Sequence, residues 1–162
     1  MSEVLVIMAL AVWFGAAIRL GIIDHRTQQL PTRLIWFTAG IVWLLYSVVS
    51  IIEGRPDGLV GAFAGALTCG VALAVIHFFS PLSIGFGDVR LSVLNGLLCG
   101  WWGWSAAFAH LAVGFVVAFP SAVIVLQRYG TSASRPFGCY LIVGATVVWI
   151  WGVVSKQLVP FG

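Results

Sequence analysis

The chain has 162 residues, of which 61% are hydrophobic and only 8% are charged. Soluble globular domains carry about 25% charged residues, so this composition excludes an ordinary soluble domain and favours a protein of the lipid bilayer. The net charge of +3 comes mostly from arginines in short connections, a pattern that bears on membrane orientation and gives no reason to expect a nucleic-acid partner.

Six apolar segments follow one another along the chain. A transmembrane helix needs roughly 20 mainly apolar residues to cross about 30 Å of hydrocarbon. The first segment follows an acidic start at Glu3, without the positive n-region of a cleavable signal peptide, so we interpret it as a retained helix. The sequence therefore predicts an all-α integral membrane protein, with residues 1–162 forming one domain and a bundle of about six helices. The segments lie at residues 4–23, 34–52, 59–80, 89–102, 104–126 and 137–155.

The boundary between the fourth and fifth helices lies within a long apolar stretch. The sequence from Val89 to Leu126 is almost uninterrupted in its apolar character. One helix over this range would be roughly 57 Å long at 1.5 Å per residue, which is too long for one crossing. We place a break at Gly100–Gly103, where three tryptophans cluster as is typical of the headgroup level. The fourth helix is then unusually short.

Positive charges give an independent check on this topology. With six spans, six arginines lie on one side of the membrane, and only two basic residues lie on the other. Cytoplasmic loops carry an excess of Lys and Arg, so we expect the six-arginine side to be cytoplasmic and both termini to be extracytoplasmic. The first group is Arg19, Arg26, Arg33, Arg90, Arg128 and Arg135, and the second group is Arg55 and Lys156.

Glycines and cysteines indicate packing rather than chemistry. The pairs Gly61-x-x-x-Gly65 and Gly96-x-x-x-Gly100 predict close helix contacts, because a missing side chain lets two backbones approach. No Cys-x-x-Cys pair is present, so we interpret the cysteines as small packing residues and expect no metal ion and no cofactor. The three cysteines are Cys69, Cys99 and Cys139.

Two acidic residues lie on the six-arginine side. These are Asp24, just after the first predicted span, and Asp88, just before the fourth. Asp88 closes the segment Gly85-Phe86-Gly87-Asp88, whose glycines permit unusual backbone angles and a close approach of another segment. Either aspartate alone could be an ordinary solvated flank of a membrane helix, but the pair in this setting predicts a two-carboxylate site.

The predicted environments of the two aspartates differ. A helix N-terminus favours the carboxylate form of Asp88, whereas the C-terminal end of the first helix disfavours negative charge on Asp24. Two close carboxyl groups share one proton, so one can act as a base while the other is an acid. Our hypothesis is that Asp88 is the base toward water and that Asp24 protonates the carbonyl oxygen of a substrate.

Three motifs, in order, resemble those of the prepilin peptidases, which are Gly-x-Gly-Asp (GxGD) membrane proteases. The resemblance covers nearly the whole chain. Two positions depart from the family pattern, since Thr32 stands where Asn is usual and Cys139 stands where Pro is usual. The motifs are Asp24-His-Arg-x-x-x-Leu-Pro31, Gly-Phe-Gly-Asp88-Val-Arg-Leu and Arg135-Pro-Phe-Gly-Cys-Tyr-Leu141.

The resemblance implies an aspartic endopeptidase with Asp24 and Asp88 as catalytic residues. Such an enzyme cleaves the short, positively charged leader from type IV pilin-like precursors (prepilins or pseudopilins) at the cytoplasmic face of a bacterial plasma membrane. Larger family members carry an N-terminal extension with Cys-x-x-Cys motifs that accompanies methylation. This chain has no room for that extension, so we expect peptidase activity without methyltransferase activity. The short form resembles the peptidases of tight-adherence (Flp-type) pilus systems.

Further residues around the motifs are expected to shape the site rather than to perform chemistry. Prolines and glycines there would fix the loop conformation. Three arginines, Arg26, Arg33 and Arg90, could steer an acidic group of the substrate or tune the aspartates, although the positive-inside rule alone explains them. These site-shaping or substrate-proximal residues are Gly85, Gly87, Arg26, Pro31, Arg90, Pro136, Phe137 and Gly138.

Three other functions are compatible with parts of the sequence. A small transporter or channel subunit would carry ionisable groups near mid-span, whereas the acids here lie at predicted helix ends. A presenilin-like or signal-peptide-peptidase-like protease would show Tyr-Asp and Pro-Ala-Leu motifs, which the sequence lacks. A catalytically inactive scaffold of the same fold is the third alternative, and the presence of both aspartates weighs against it.

Overall fold

The regular structure of the protein is α-helical. The computed structural model describes residues 2–27, 29–54, 56–79, 84–129 and 137–158, and within these ranges it contains six helices and no strand. This confirms the predicted all-α bundle. Arg55, Arg135 and Pro136 lie outside the described residues, as do the side chains of Arg128 and Lys156. The helices are α1 Ser2–Thr27, α2 Thr32–Glu53, α3 Asp57–Phe79, α4 Phe86–Gly100, α5 Trp104–Tyr129 and α6 Gly138–Leu158.

Five of these helices are long and apolar enough to cross a membrane. They are α1, α2, α3, the Trp104–Ser121 part of α5 and the Gly138–Ser155 part of α6. Helix α4 has 15 residues. At 1.5 Å per residue it is about 22 Å long, less than the roughly 30 Å of a hydrocarbon core. The prediction that the fourth helix is unusually short is therefore confirmed.

The break between α4 and α5 lies where the sequence predicts it. Trp101–Gly103 form the turn, and Gly103 has a φ of 120°, a left-handed conformation that favours glycine. The Trp101 ring stacks on the Tyr46 ring with centroids 4.4 Å apart. The Trp102 ring packs edge-on against Trp149. These aromatic contacts hold the turn against α2 and α6.

The short helix α4 lies in the middle of the bundle, where it contacts α2, α3, α5 and α6. Its buried Asn95 also ties it to α1, because the Trp13 indole N–H donates to Asn95 Oδ1 at 3.0 Å. The Asn95 amide N–H in turn donates to the Leu141 carbonyl of α6 at 3.2 Å. One side chain thus joins α1, α4 and α6 through hydrogen bonds in an apolar interior, where such bonds are electrostatically strong.

Helices α3 and α4 pack backbone to backbone along the predicted glycine pairs. Gly61 faces Gly100, and Gly65 faces Gly96, so that a methyl group added to any of the four would overlap the backbone of the other helix. The two helices are antiparallel, since the start of α3 meets the end of α4. The predicted close contacts are confirmed, and they gain dispersion energy that bulkier residues would prevent.

The bundle has two distinct ends, which we call the aspartate end and the tryptophan end. At the aspartate end, α1 ends and α2, α4 and α6 begin. The tryptophan end contains the turn between α4 and α5. Three of the six arginines predicted to share one side lie near the aspartate end, and they are Arg26, Arg33 and Arg90.

Candidate active site

The side chains of Asp24 and Asp88 meet at the aspartate end of the bundle. Asp24 lies near the end of α1 and is 4% exposed, and Asp88 lies in the first turn of α4 and is 7% exposed. Both carboxyl groups face Gly138, the first residue of α6. A Cβ atom at Gly138 would lie 2.8 Å from Asp24 Oδ2 and 3.3 Å from Asp88 Oδ1. The structure therefore brings the predicted pair together, against the backbone of a glycine where a side chain would not fit.

Asp88 is a buried acid with a compensating hydrogen bond from the backbone. The N–H of Gly85 donates to Asp88 Oδ2 at 3.2 Å, and the N-terminus of α4 favours negative charge there. Burial is the larger effect. It raises the pKa of Asp88 to about 7, with repulsion from Asp24 as the second cause, while the Gly85 N–H lowers this pKa. A carboxyl group with such a pKa exchanges its proton near neutral pH, as general acid–base catalysis requires.

Asp24 also faces the positive end of a helix. Its carboxylate lies against the backbone N–H groups of Gly138 and Cys139 at the start of α6, and these groups favour negative charge on it. The expectation for Asp24 considered only the end of α1, and the start of α6 adds an opposing effect beside it. Asp24 Oδ2 is buried and, among the described residues, accepts no hydrogen bond. A buried oxygen without a partner costs free energy, so this atom marks a place where a water or a substrate group would be stabilised.

The segment from Gly85 to Asp88 does not use unusual backbone angles. Gly85 has φ −70° and ψ 151°, an ordinary extended conformation at the start of α4, so that part of the expectation is wrong. Gly87 instead permits close packing, because a Cβ atom there would lie 3.1 Å from the Cβ atom of Leu30. The expected close approach of another segment is confirmed. It brings the connection after Asp24 into contact with the start of α4.

A second contact between the two aspartate motifs joins Thr32 to Arg90. Arg90 Nη1 donates to Thr32 Oγ1 at 2.5 Å. The Arg90 guanidinium also lies 4.5 Å from the centroid of the Phe86 ring, a cation–π contact. Pro31 precedes Thr32, and its carbonyl accepts the first backbone hydrogen bonds of α2. The departure from the family pattern at Thr32 therefore keeps a hydrogen-bonding side chain, a role that the sequence did not indicate.

Two other contacts hold the polypeptide next to the site glycines. His77 Nδ1 lies 2.7 Å from the carbonyl oxygen of Ile84, directly before Gly85. The Phe137 ring packs against the Phe115 ring with centroids 5.1 Å apart, directly before the first residue of α6. The sequence did not indicate this role for His77, because a histidine in an apolar helix has no characteristic spacing to its partner.

Cys139 is a site residue that was not predicted from the sequence. The interpretation as a packing residue is confirmed for Cys69 and Cys99, which are buried in the core. Cys139 differs, because it is half-buried, its N–H faces Asp24 and its thiol donates to the Gly21 carbonyl at 3.6 Å. Its place within the third motif was the available signal. In the described part of the chain, no three His, Cys, Asp or Glu side chains come together as potential metal ligands.

An apolar helical bundle that buries two facing carboxyl groups at one end defines a membrane protein of the two-aspartate class. A comparison with known proteins gives the family. The chain is 32% identical over 136 residues to the leader peptidase HopD of Salmonella typhimurium, and the match covers 79% of this chain and 83% of that protein. The chain belongs to the prepilin leader peptidase family.

Larger relatives match over part of their length. The chain is 29% identical over 143 residues to a prepilin leader peptidase/N-methyltransferase of Aeromonas salmonicida, covering 83% of this chain and 46% of that protein. It is 30% identical over 143 residues to the Escherichia coli protein of the same name, covering 86% of this chain and 61% of that protein. The chain thus spans about half the length of these curated relatives. No family model and no solved structure matches it.

Proposed function

We propose that the chain is a single transmembrane peptidase domain that cleaves leader peptides from type IV pilin-like precursors, with Asp24 and Asp88 as the catalytic pair. The observation that carries the proposal is the convergence of both carboxyl groups on Gly138, where the absence of a side chain lets both approach the start of α6 closely. The names of the relatives, prepilin leader peptidase and leader peptidase, support the reaction and the substrate class.

The electrostatics of the pair favour different roles for its two members. Burial disfavours the charged form of both carboxyl groups. At Asp24 two backbone N–H groups oppose this effect, whereas at Asp88 repulsion from Asp24 adds to it, and the pKa of Asp88 is raised to about 7. Asp24 is then the base that takes a proton from water, and Asp88 is the acid that protonates the carbonyl oxygen of the scissile peptide bond. This reverses our hypothesis from the sequence, because burial outweighs the helix N-terminus at Asp88.

The catalytic pair carries the same number of protons before and after one turnover. Water attacks the carbonyl carbon while Asp24 accepts a proton from it and Asp88 donates a proton to the carbonyl oxygen, giving a tetrahedral gem-diol. As the carbon–nitrogen bond breaks, the proton on Asp24 moves to the leaving amine, and a hydroxyl proton of the gem-diol returns to Asp88. The pair thus holds one shared proton before and after the reaction, and no covalent enzyme intermediate forms.

We further propose that the aspartate end faces the cytoplasm at a bacterial plasma membrane, with both termini on the other side. The arginines near this end support the orientation, because positive residues are enriched on the cytoplasmic side. Reporter fusions to the two termini test it, since a reporter that is active only outside the cytoplasm should be active at both. The resemblance to the compact peptidases of tight-adherence systems leads us to propose a tight-adherence (Flp-type) pilin as the substrate.

Coexpression with a candidate prepilin, in a host that lacks such peptidases, tests the proposed activity. The wild-type chain should convert the precursor to a shorter product on a gel, and Asp24→Asn and Asp88→Asn should each abolish the conversion while still inserting into the membrane. Asp57→Asn is the matched control, because Asp57 is an exposed acid at the start of α3, at the tryptophan end. Normal cleavage by either site variant would show that the aspartate concerned is only a helix flank.

A further inference from the structure

His77 lies at the end of a row of α3 residues that packs against α4. The earlier members of the row, spaced four residues apart, are Gly61, Gly65, Cys69 and Leu73. This is the spacing of the surface ridges by which helices pack together. The two glycines and Cys69 adjoin α4, and Leu73 is fully buried. His77 is half-buried in the last turn of α3, so the row ends with an imidazole at the aspartate end.

The imidazole contacts the peptide group directly before α4. His77 Nδ1 lies 2.7 Å from the carbonyl oxygen of Ile84. A carbonyl oxygen can only accept a hydrogen bond, so Nδ1 is the ring nitrogen that carries the proton. Ile84 is buried, and a buried backbone carbonyl requires a donor. His77 is therefore the donor to this carbonyl.

The other end of the same peptide group faces Asp88. The N–H of Gly85 belongs to the Ile84–Gly85 peptide bond, and it donates to Asp88 Oδ2 at 3.2 Å. This bond is trans, so its C=O and N–H point in opposite directions, and because the group is planar, fixing the oxygen also fixes the direction of the N–H. Hydrogen bonds in series also polarise one another. Donation from His77 thus makes the Gly85 N–H a better donor to Asp88.

We propose that His77 is a positioning residue for Asp88, an inference whose effect on cleavage rests on the proposed function. Its Nδ1–H holds the Ile84–Gly85 peptide between α3 and α4, so that the Gly85 N–H is aimed at the Asp88 carboxyl group. The Phe86 ring keeps the imidazole in place, with ring centroids 5.6 Å apart. His77 acts through this peptide group and makes no contact with the reacting atoms.

The consequence for Asp88 is a more acidic carboxyl group. Burial raises its pKa and repulsion from Asp24 adds to this, whereas the Gly85 N–H lowers it. The thiol of Cys139 also lies near both carboxyl groups. On the other side, Arg90 lies over the Phe86 ring that packs against His77. Among these groups, His77 acts on Asp88 by strengthening the hydrogen bond from Gly85.

Carbon-13 NMR of carboxyl-labelled aspartate tests the inference without a substrate. The sequence has three aspartates, Asp24, Asp57 and Asp88, so single Asp→Asn variants assign the signals. His77→Phe keeps a ring beside Phe86 and removes the donor. We expect it to raise the pKa of Asp88 by about one pH unit, the order of effect of losing one hydrogen bond to a carboxylate. His77→Asn supplies an N–H near the position of Nδ1 and should keep the wild-type pKa.

Phe78→Leu is the matched control. Phe78 is the next residue in the last turn of α3 and is 81% exposed, so its replacement should leave the titration of Asp88 unchanged. The inference is overturned by an unchanged pKa in His77→Phe, by a shift in His77→Asn as large as that in His77→Phe, or by an equal shift in Phe78→Leu. The last two outcomes would show that any change in this turn disturbs the site.

Nitrogen-15 NMR of the wild-type histidines tests the inference even if His77→Phe fails to insert into the membrane. A ring nitrogen that carries a proton shows a direct coupling to it, and a bare nitrogen does not. At a pH where the ring is neutral, we expect a protonated Nδ1 at His77. A bare Nδ1 overturns the inference, because it has no proton to donate to the Ile84 carbonyl.

Cleavage of the precursor then separates positioning from a merely structural role. In His77→Phe, the pH at which kcat falls should move upward by about one pH unit, with little change in KM, and His77→Asn should restore the wild-type profile. A loss of kcat that is equal at every pH would contradict the inference. If the wild-type chain cleaves no precursor, the proposed function fails, and the aspartate titration still decides the role of His77. If the wild-type chain cleaves and His77→Phe leaves the pKa of Asp88 unchanged, only this inference fails.

Discussion

Buried polar groups in the middle of α4 have hydrogen-bond partners, whereas those at its aspartate end are incompletely paired. In the middle, the Asn95 amide is hydrogen-bonded on both sides, to Trp13 and to Leu141. At the aspartate end, Asp88 is buried with its pKa raised to about 7, and Asp24 Oδ2 accepts no hydrogen bond from the described residues. The polar side chain in the middle of α4 thus makes all the hydrogen bonds described above, whereas the two carboxyl groups at the aspartate end would be more stable in water.

This difference shows which part of the fold keeps the site in place. Desolvated carboxyl groups cost free energy and repel each other, so the aspartate end would relax if its helices could move apart. The hydrogen bonds of Asn95 and the glycine contacts between α3 and α4 resist such movement, because they fix three helices around α4. A closely packed core with hydrogen-bonded polar groups thus holds in place a site whose buried carboxyl groups are not fully paired.

The largest effect is expected where the two carboxyl groups meet. Gly138→Ala places a methyl carbon 2.8 Å from Asp24 Oδ2 and 3.3 Å from Asp88 Oδ1, so the carboxyl groups must shift. We expect kcat/KM for the precursor to fall about 100-fold, the loss that a misplacement of about 1 Å can cause. Gly40→Ala is the control, since a Cβ atom there meets no atom within 4 Å. Equal rates for the two variants would mean that the working enzyme does not hold its carboxyl groups against this glycine.

The next effect concerns the proton on Asp88. Because burial raises its pKa from 3.8 to about 7, Asp88 is mostly protonated below this pKa and mostly ionised above it. If Asp88 is the acid, kcat should fall as pH rises through this value and approach about a tenfold loss per pH unit. A pH series on the purified enzyme measures this. A rate that instead increases with pH across the same range would give Asp88 the role of base.

A smaller effect, on stability rather than chemistry, is expected in the middle of α4. Asn95→Leu leaves the Trp13 N–H and the Leu141 carbonyl without their partner, which costs about 1–3 kcal/mol of folding free energy for a buried polar group. Trp13→Phe removes one of these unpaired groups, so the double variant should be more stable than the sum of the single effects predicts. Thermal unfolding followed by tryptophan fluorescence tests this. Strictly additive losses would contradict a direct Asn95–Trp13 interaction.

Features that the membrane imposes on every span were predictable from the sequence. Because lipid sets a minimum helix length, the apolar segments of the sequence predicted the helices. The clustered tryptophans predicted the break between α4 and α5. Glycines spaced four residues apart predicted the close contact between α3 and α4. The aspartates were found because Asp88 follows two glycines and Asp24 shares its predicted side of the membrane. Each of these signals is local in the sequence.

Contacts between distant segments left no such signal. The start of α6 beside Asp24 depends on how α1 and α6 pack, and no spacing within either helix reveals it. Cys139 was interpreted like the other two cysteines although it lies within the third motif, because its helix face becomes known only from its neighbours. The roles of the aspartates were predicted from helix ends alone, whereas burial by several helices sets the pKa of Asp88.

The smallest effect is expected at the link between the two aspartate motifs. Arg90 donates to Thr32 Oγ1 and also lies over the Phe86 ring, so losing the hydroxyl removes one of these two contacts. Thr32→Val is close in shape and should lower kcat/KM by roughly fivefold, since a hydrogen bond contributes about 1 kcal/mol net. Steady-state cleavage of the precursor measures this change.

Two conservative variants separate the hydrogen bond from the shape of the loop. Thr32→Ser and Thr32→Asn both keep a side-chain oxygen that can accept from Arg90, so both should retain most of the wild-type rate. If Thr32→Asn is as slow as Thr32→Val, the hydrogen bond does not position the aspartates. The contact of Leu30 with Gly87 would then be the interaction that holds the two motifs together, and Gly87→Ala should cost more activity than any change at Thr32, because its added methyl group would push Leu30 away.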